Sequence, residues 1–182
     1  IFRSTNSPLN SLGIVDEAII IRSHGVPKSI YDELAEKGLN YIDATCPYVK
    51  KIQNIVAEQD QDTGVLIAGD CTHPEVIGII GHCSTAYFSF KSLDELQNLE
   101  NSIVKMQKNQ WVLVAQTTFN ANEWKKCVEI AKKLCTNPKI FDTICKATLT
   151  RQTEAAALAA ESDVMIVIGG KHSSNTRKLG DC

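Results

Sequence analysis

Three stretches of the chain repeat one pattern of apolar and polar positions. Ala18–Ile21 is a β-branched run that ends in Arg22-Ser23-His24-Gly25, with Pro27 just beyond. Val65–Gly69 ends in Asp70-Cys71-Thr72-His73 and is followed by Pro74. Val164–Gly170 ends in Lys171-His172-Ser173-Ser174-Asn175. Each reads as strand, short polar loop, helix. The apolar runs do not alternate with polar residues, which fits strands covered on both faces of a parallel sheet. Pro27, Pro47 and Pro74 suit a first helical turn, where a missing N–H costs little. Further strands are expected at Asn40–Asp43, Trp111–Ala115 and the strand-like run Phe141–Cys145. Helices are expected at Ser29–Lys37, Tyr48–Asp60, Ala121–Cys135 and Arg151–Glu161, the last with Thr150 as N-cap, and from Ser174 onward. The fold class is α/β with parallel sheets, and the functional loops lie at the carboxyl ends of the strands.

The residues at those ends are small polar, acidic or metal-binding types: His24, Cys46, His73, Glu75, Thr117, Thr118, Cys145, Ser173, Ser174 and Asn175. Cys46 and Cys145 each close a strand-like run and lead into a helical stretch, where the helix dipole favours a thiolate. Ser173-Ser174-Asn175 exceeds what a helix cap needs and suits an anion, because free N–H groups and the dipole both favour negative charge. His73 and Glu75 flank Pro74, which pairs an imidazole with a carboxylate. Glu75 would act as a general acid only if burial or a negative neighbour raised its pKa. Thr117 and Thr118 could pass a proton, since hydroxyls both donate and accept.

Charge and cysteine content narrow the classes. The 182 residues carry a net charge of −2, so no basic excess speaks for nucleic acid. The longest apolar runs are strand-sized, so none is expected to span a membrane. Seven cysteines, an odd number without the dense spacing of a secreted scaffold, point to reduced thiols and a cytoplasmic enzyme. Cys83, Cys127 and Cys135 read as small buried hydrophobes. The chain opens without Met and stops within a helix, so it reads as a piece of a longer protein. Two other readings fit the residues. One is a binding module for a phosphorylated metabolite, which leaves Cys46 and Cys145 unexplained. The other is a zinc site from Cys46, His73 and Cys145, which lacks the usual close ligand pairs.

Taken in order, the motifs resemble the 4-hydroxy-3-methylbut-2-enyl diphosphate reductase family of the non-mevalonate isoprenoid pathway. They are Arg22–Val26, Asp43-Ala44-Thr45-Cys46-Pro47, Gly69 through His73-Pro74-Glu75-Val76, Gln116-Thr117-Thr118, Asp142–Cys145 with Ala147-Thr148, Arg151-Gln152 and Ser173-Ser174-Asn175. The resemblance implies a three-lobed fold of parallel-sheet lobes around a central [4Fe–4S] cluster. Residues 1–45 would be the end of one lobe, 46–143 a complete second lobe and 144–182 the start of a third. Cys46 and Cys145 match two of three cluster ligands. His24, His73, Thr117, Thr118, Ser173, Ser174 and Asn175 match substrate-binding positions, and Glu75 with Thr117 the proton-delivering pair. The substrate would be a small diphosphate, reduced with electrons from a donor such as ferredoxin or flavodoxin. Ile1–Leu12 does not look like the family's N-terminal region, and its C-terminal part has no counterpart here.

Overall fold

Parallel pairing of short β-branched strands builds two separate sheets. The computed structural model describes residues 19–170 and 173–180. Expectations for Ile1–Leu12, Ala18, Lys171, His172 and Cys182 lie outside the described residues. The elements run β1 (Ile19–Ile21), α1 (Lys28–Glu36), β2 (Tyr41–Asp43), α2 (Pro47–Ala57), β3 (Thr63–Ala68) and α3 (Pro74–Ile80). They continue with β4 (Tyr87–Phe90), α4 (Leu93–Asn98), α5 (Glu100–Met106), β5 (Gln110–Ala115) and α6 (Ala121–Leu134). The last are β6 (Pro138–Ile140), α7 (Lys146–Ala160) and α8 (Ser174–Gly180). β1 and β2 pair parallel, Ile19 opposite Tyr41. The larger sheet has the order β4-β3-β5-β6, and every pairing in it is parallel.

All six residues of β3 are buried, as its unalternated pattern requires. Leu66 and Ala68 face one core with Trp111, Leu113 and Ala115, covered by α6 through Trp124, Cys127 and Ala131. Val65 and Ile67 face the other with Val112 and Val114, covered by Ile52 and Val56 of α2 and Val76 and Ile79 of α3. The buried positions of α2 recur at helical spacing, as Val49, Ile52, Gln53, Ile55 and Val56. The chain leaves β3 toward β4, then crosses back to β5 on the other side. β3 and β5 are therefore the strands between which the winding reverses, and the crevice at their carboxyl ends is the natural ligand site.

Three expectations need correction. The run Val164–Ile168 forms no strand among the described residues: no neighbouring strand pairs with it, and Ile168 is 91% exposed. An apolar run becomes a strand only where a partner satisfies its backbone. The last long helix starts at Lys146, five residues before the expected Arg151, and its N-cap is Cys145, not Thr150. Its buried residues Thr148, Gln152 and Ala155 recur at helical spacing, the first of them ahead of the expected start. Finally, the strand near Cys145 is Pro138–Ile140, earlier than expected. Beyond it the Thr143 hydroxyl takes over the ladder, accepting from the Ala115 N–H at 2.8 Å and donating to the Ala115 carbonyl at 2.7 Å.

Candidate functional site

Each candidate side chain sits where a strand hands over to a helix. His24 follows β1 in a turn closed by Gly25, which adopts φ +69°, a conformation that favours glycine. A Cβ at Gly25 would also lie 2.4 Å from Gln53 Nε2. His73 caps α3, its Nδ1 accepting the Glu75 N–H at 3.2 Å. The two imidazoles meet edge to face with ring centroids 5.3 Å apart. Burial, with Arg22 nearby, holds His24 below the usual histidine pKa. Burial and the neighbouring His24 do the same for His73. Both rings are thus biased toward the neutral form. His24 Nδ1 is buried and has no hydrogen-bond partner among the described residues.

Glu75 is the centre of the arrangement. It is 2% exposed, and both carboxylate oxygens are taken by one residue across the crevice. The Thr117 N–H donates to Oε1 at 2.7 Å and the Thr117 hydroxyl to Oε2 at 2.9 Å. Burial pushes the Glu75 pKa up, and the two Thr117 bonds only partly oppose this. A carboxyl that is buried, raised and held by a hydroxyl is suited to hold and release a proton. The Thr117 carbonyl in turn accepts the Cys145 N–H at 2.9 Å. The next residue, Thr118, shares a 2.7 Å hydroxyl–hydroxyl hydrogen bond with Ser174.

The cysteines join the same network. The Cys46 N–H donates to the Ser23 carbonyl at 3.0 Å, beside His24. Cys46 and Cys145 are the N-caps of α2 and α7. One path of contacts therefore runs from Cys46 through Ser23, His24, His73, Glu75 and Thr117 to Cys145, with a branch through Thr118 to Ser174. Ser173 stands apart: its hydroxyl accepts the Thr176 N–H at 3.3 Å, the role of an ordinary cap. Asn175 is half-buried at the start of α8. Three other thiols are held protonated by burial. Burial pushes Cys83 and Cys127 up to about 12 and Cys135 up to about 11. Cys71 is exposed on the loop after β3.

Sequence reasoning gave no role to Gln116 or Gln152. Gln116 is buried, accepts the Asp70 N–H at 3.4 Å and donates to Thr118 Oγ1 at 3.2 Å, linking two strand-end loops. Gln152 of α7 accepts the Ala121 N–H at 3.1 Å and donates to the Phe119 carbonyl at 3.3 Å. Both lie inside quoted motifs, so their types were visible and their partners were not. A cavity of about 170 Å³ opens between Asp70, His73, Gln116, Ser174 and Arg177. A larger cleft of about 620 Å³, lined by Trp124, Ile144 and Leu149, contains none of His24, His73, Glu75 or Thr117. Of the candidate residues, His73 and Ser174 line the smaller cavity. Among the described residues, no three His, Cys, Asp or Glu side chains gather as a metal site.

Known proteins share this arrangement of sequence. The family profile described as LytB protein matches residues 3–182. A 4-hydroxy-3-methylbut-2-enyl diphosphate reductase from Thermoanaerobacter sp. (strain X514) is 46% identical over 164 residues, 90% of this chain and 55% of that protein. The enzyme of the same name from Clostridioides difficile (strain 630) is 46% identical over 90% of this chain and 57% of its own length. A solved (E)-4-hydroxy-3-methyl-but-2-enyl diphosphate reductase, described as the terminal enzyme of the non-mevalonate pathway, superposes with a TM-score of 0.65 at 38% identity. It covers 89% of this chain and 57% of its own. The Plasmodium falciparum E-1-hydroxy-2-methyl-but-2-enyl-4-diphosphate reductase gives 0.74 at 26% identity, over 89% and 51%. The chain thus spans about half the length of the relatives it matches. With the profile covering nearly every residue and the α/β fold shared with both structures, the chain belongs to the LytB family.

Proposed function

We propose that the whole protein is a 4-hydroxy-3-methylbut-2-enyl diphosphate reductase. It replaces the substrate's allylic hydroxyl by hydrogen, consuming two electrons and two protons and releasing water. The products are isopentenyl and dimethylallyl diphosphate. The observation that supports this best is the clasp of buried Glu75 by Thr117, with His24 and His73 on one side and the Cys145 loop on the other. Residues 46–143 form one complete lobe in this reading, with 1–45 and 144–182 belonging to two others.

The donor types fit an iron–sulfur cluster in part. Cys46 and Cys145 are free thiols at the N-caps of α2 and α7. They would be two of its ligands, with a third thiolate supplied from outside the described residues. When bound, a [4Fe–4S] cluster would supply the electrons one at a time and an iron acting as Lewis acid. The chain's own residues do the rest. Glu75 holds a proton that the Thr117 hydroxyl can pass toward the leaving oxygen. His24, His73, Thr118, Ser173, Ser174 and Asn175 offer neutral donors to the diphosphate, and the unpartnered His24 Nδ1 is completed by such a ligand. A ferredoxin- or flavodoxin-type protein delivers the electrons. The enzyme is placed in the cytoplasm, where thiols stay reduced; among the described residues no helix is long and apolar enough to cross a membrane.

The test is cysteine replacement in the whole protein, purified without oxygen and assayed for iron and acid-labile sulfide. Cys46→Ser and Cys145→Ser should lose most of the iron, while Cys71→Ser and Cys83→Ser keep it. Full iron content in Cys46→Ser would remove the basis for the reading.

A further inference from the structure

Cys46 and Cys145 share one backbone setting. Each is a helix N-cap, with φ/ψ of −57°/133° and −63°/132°. Each donates its N–H to a loop after another strand, Cys46 to the Ser23 carbonyl and Cys145 to the Thr117 carbonyl. Each accepts an N–H four residues on, from Lys50 at 2.9 Å and from Leu149 at 3.0 Å. Three residues before each stands an aspartate, Asp43 or Asp142.

Those aspartates behave differently. Asp43 Oδ1 accepts from the Thr45 N–H at 3.0 Å and from the Thr45 hydroxyl at 2.5 Å. Its Oδ2 accepts from the Lys50 ammonium at 2.5 Å. These bonds close a ring around Cys46. Asp43 grips the residue before the cysteine, the Cys46 carbonyl grips the Lys50 N–H, and the Lys50 side chain returns to Asp43. No such ring encloses Cys145. The residue at the Lys50 position is Leu149, and the exposed Asp142 carboxylate makes no hydrogen bond or ion pair among the described residues. That loop is held instead by the neutral Thr143 hydroxyl. An exposed ion pair adds little stability by itself. Here its effect is geometric, since it fixes the turn from which the Cys46 side chain leaves.

We propose that Asp43, acting through Thr45 and Lys50, is a positioning residue that fixes the Cys46 thiol for metal ligation, whereas Cys145 is held without such a brace. The ligation half of this rests on the function proposed above; the bracing half does not. Partners behind a metal ligand typically change metal affinity by about 10–100-fold when removed. The matched aspartates separate geometry from charge. Asp43 and Asp142 stand at the same sequence distance from their cysteines, so a mere loss of negative charge should act alike at both.

The experiment uses the whole protein carrying Asp43→Asn, Lys50→Met, Lys50→Arg or Asp142→Asn. In apo protein, iodoacetamide labelling of Cys46 is measured by mass spectrometry relative to Cys145. Asp43→Asn and Lys50→Met should change that ratio several-fold, while Lys50→Arg and Asp142→Asn leave it at the wild-type value. In loaded protein, iron release to a chelator should accelerate by about 10–100-fold in the first two variants only, with a shifted reduction potential. An unchanged labelling ratio in Asp43→Asn, or an equal change in Asp142→Asn, overturns the brace. An altered ratio with iron release and potential both as in wild type upholds the brace and overturns Cys46 as the ligand it serves.

Discussion

Glu75 owes its properties to two facts that act in opposite directions. Burial disfavours its charge, and Thr117 stabilises that charge with two hydrogen bonds. Burial wins, so the folded protein binds the Glu75 proton more tightly than the unfolded chain does. The stability this proton contributes is complete below the ordinary carboxylate range and fades as pH rises through the raised folded value. Glu75→Gln keeps the shape and, with the Thr117 hydroxyl now accepting from the amide N–H, both Thr117 contacts, but removes the transferable proton. In the whole enzyme it should retain iron while turnover falls by about 10²–10⁴-fold. Denaturant titrations should also show that the variant's stability has lost the Glu75 part of its pH slope. Turnover within about threefold of wild type lies far below that range and would place the proton source elsewhere. The residue types at this site were legible in the sequence, because a carboxylate, imidazoles and hydroxyls cluster at strand ends. Their pairing was not. Thr117 and Glu75 are 42 positions apart, and only the order of the strands brings them together.

At the scale of elements, the central strands β3 and β5 of the larger sheet were legible and its edge strands β4 and β6 were not. β3 and β5 lie where their β-branched runs predict, because burial on both faces leaves a continuous apolar signal. The stretch between His82 and Gln110 was not read, although it holds β4, α4 and α5. Its signal was local: Ser92 caps α4 by accepting the Glu95 N–H, and the Glu95 carboxylate reaches back to the Lys91 N–H at 2.8 Å. The start of α7 was misplaced because Thr150 is a good capping type, whereas Cys145 makes no side-chain cap bond and its position is set by Thr117. Thr143 is the element that ties this region to the sheet, and it gives a sharp test. Thr143→Val preserves the shape but leaves the Ala115 N–H and carbonyl without their side-chain partner. A buried group left unpaired costs about 1–3 kcal/mol, so this variant should lose about 2–4 kcal/mol in urea unfolding. A loss below about 0.5 kcal/mol would mean that the backbone groups find other partners.

At the scale of the molecule, two sheet-like margins expose apolar side chains. Ile20 and Ile42 of β1 and β2 are about half exposed, at 51% and 58%, and Val164 and Ile166 are each 78% exposed. These are β-branched residues in extended segments, the pattern of strands buried on both faces. The larger sheet, by contrast, buries all of β3 and all of β5 except Gln110. That sheet is covered on both faces and the two margins are not, in a chain that spans about half the length of the relatives it matches. Unsatisfied strand edges and contiguous apolar patches favour association. Residues 1–182 expressed alone should therefore self-associate, as seen by light scattering, and bind far less iron per chain than the whole protein. Under the proposed function the iron deficit has a second cause, since Cys46 and Cys145 would leave a cluster short of a ligand. The two causes separate on adding detergent or a solubilising fusion partner, which should restore monomers without restoring iron. A soluble monomer of this span holding a full cluster's complement of iron would show that its own thiols suffice and that the missing ligand is not needed.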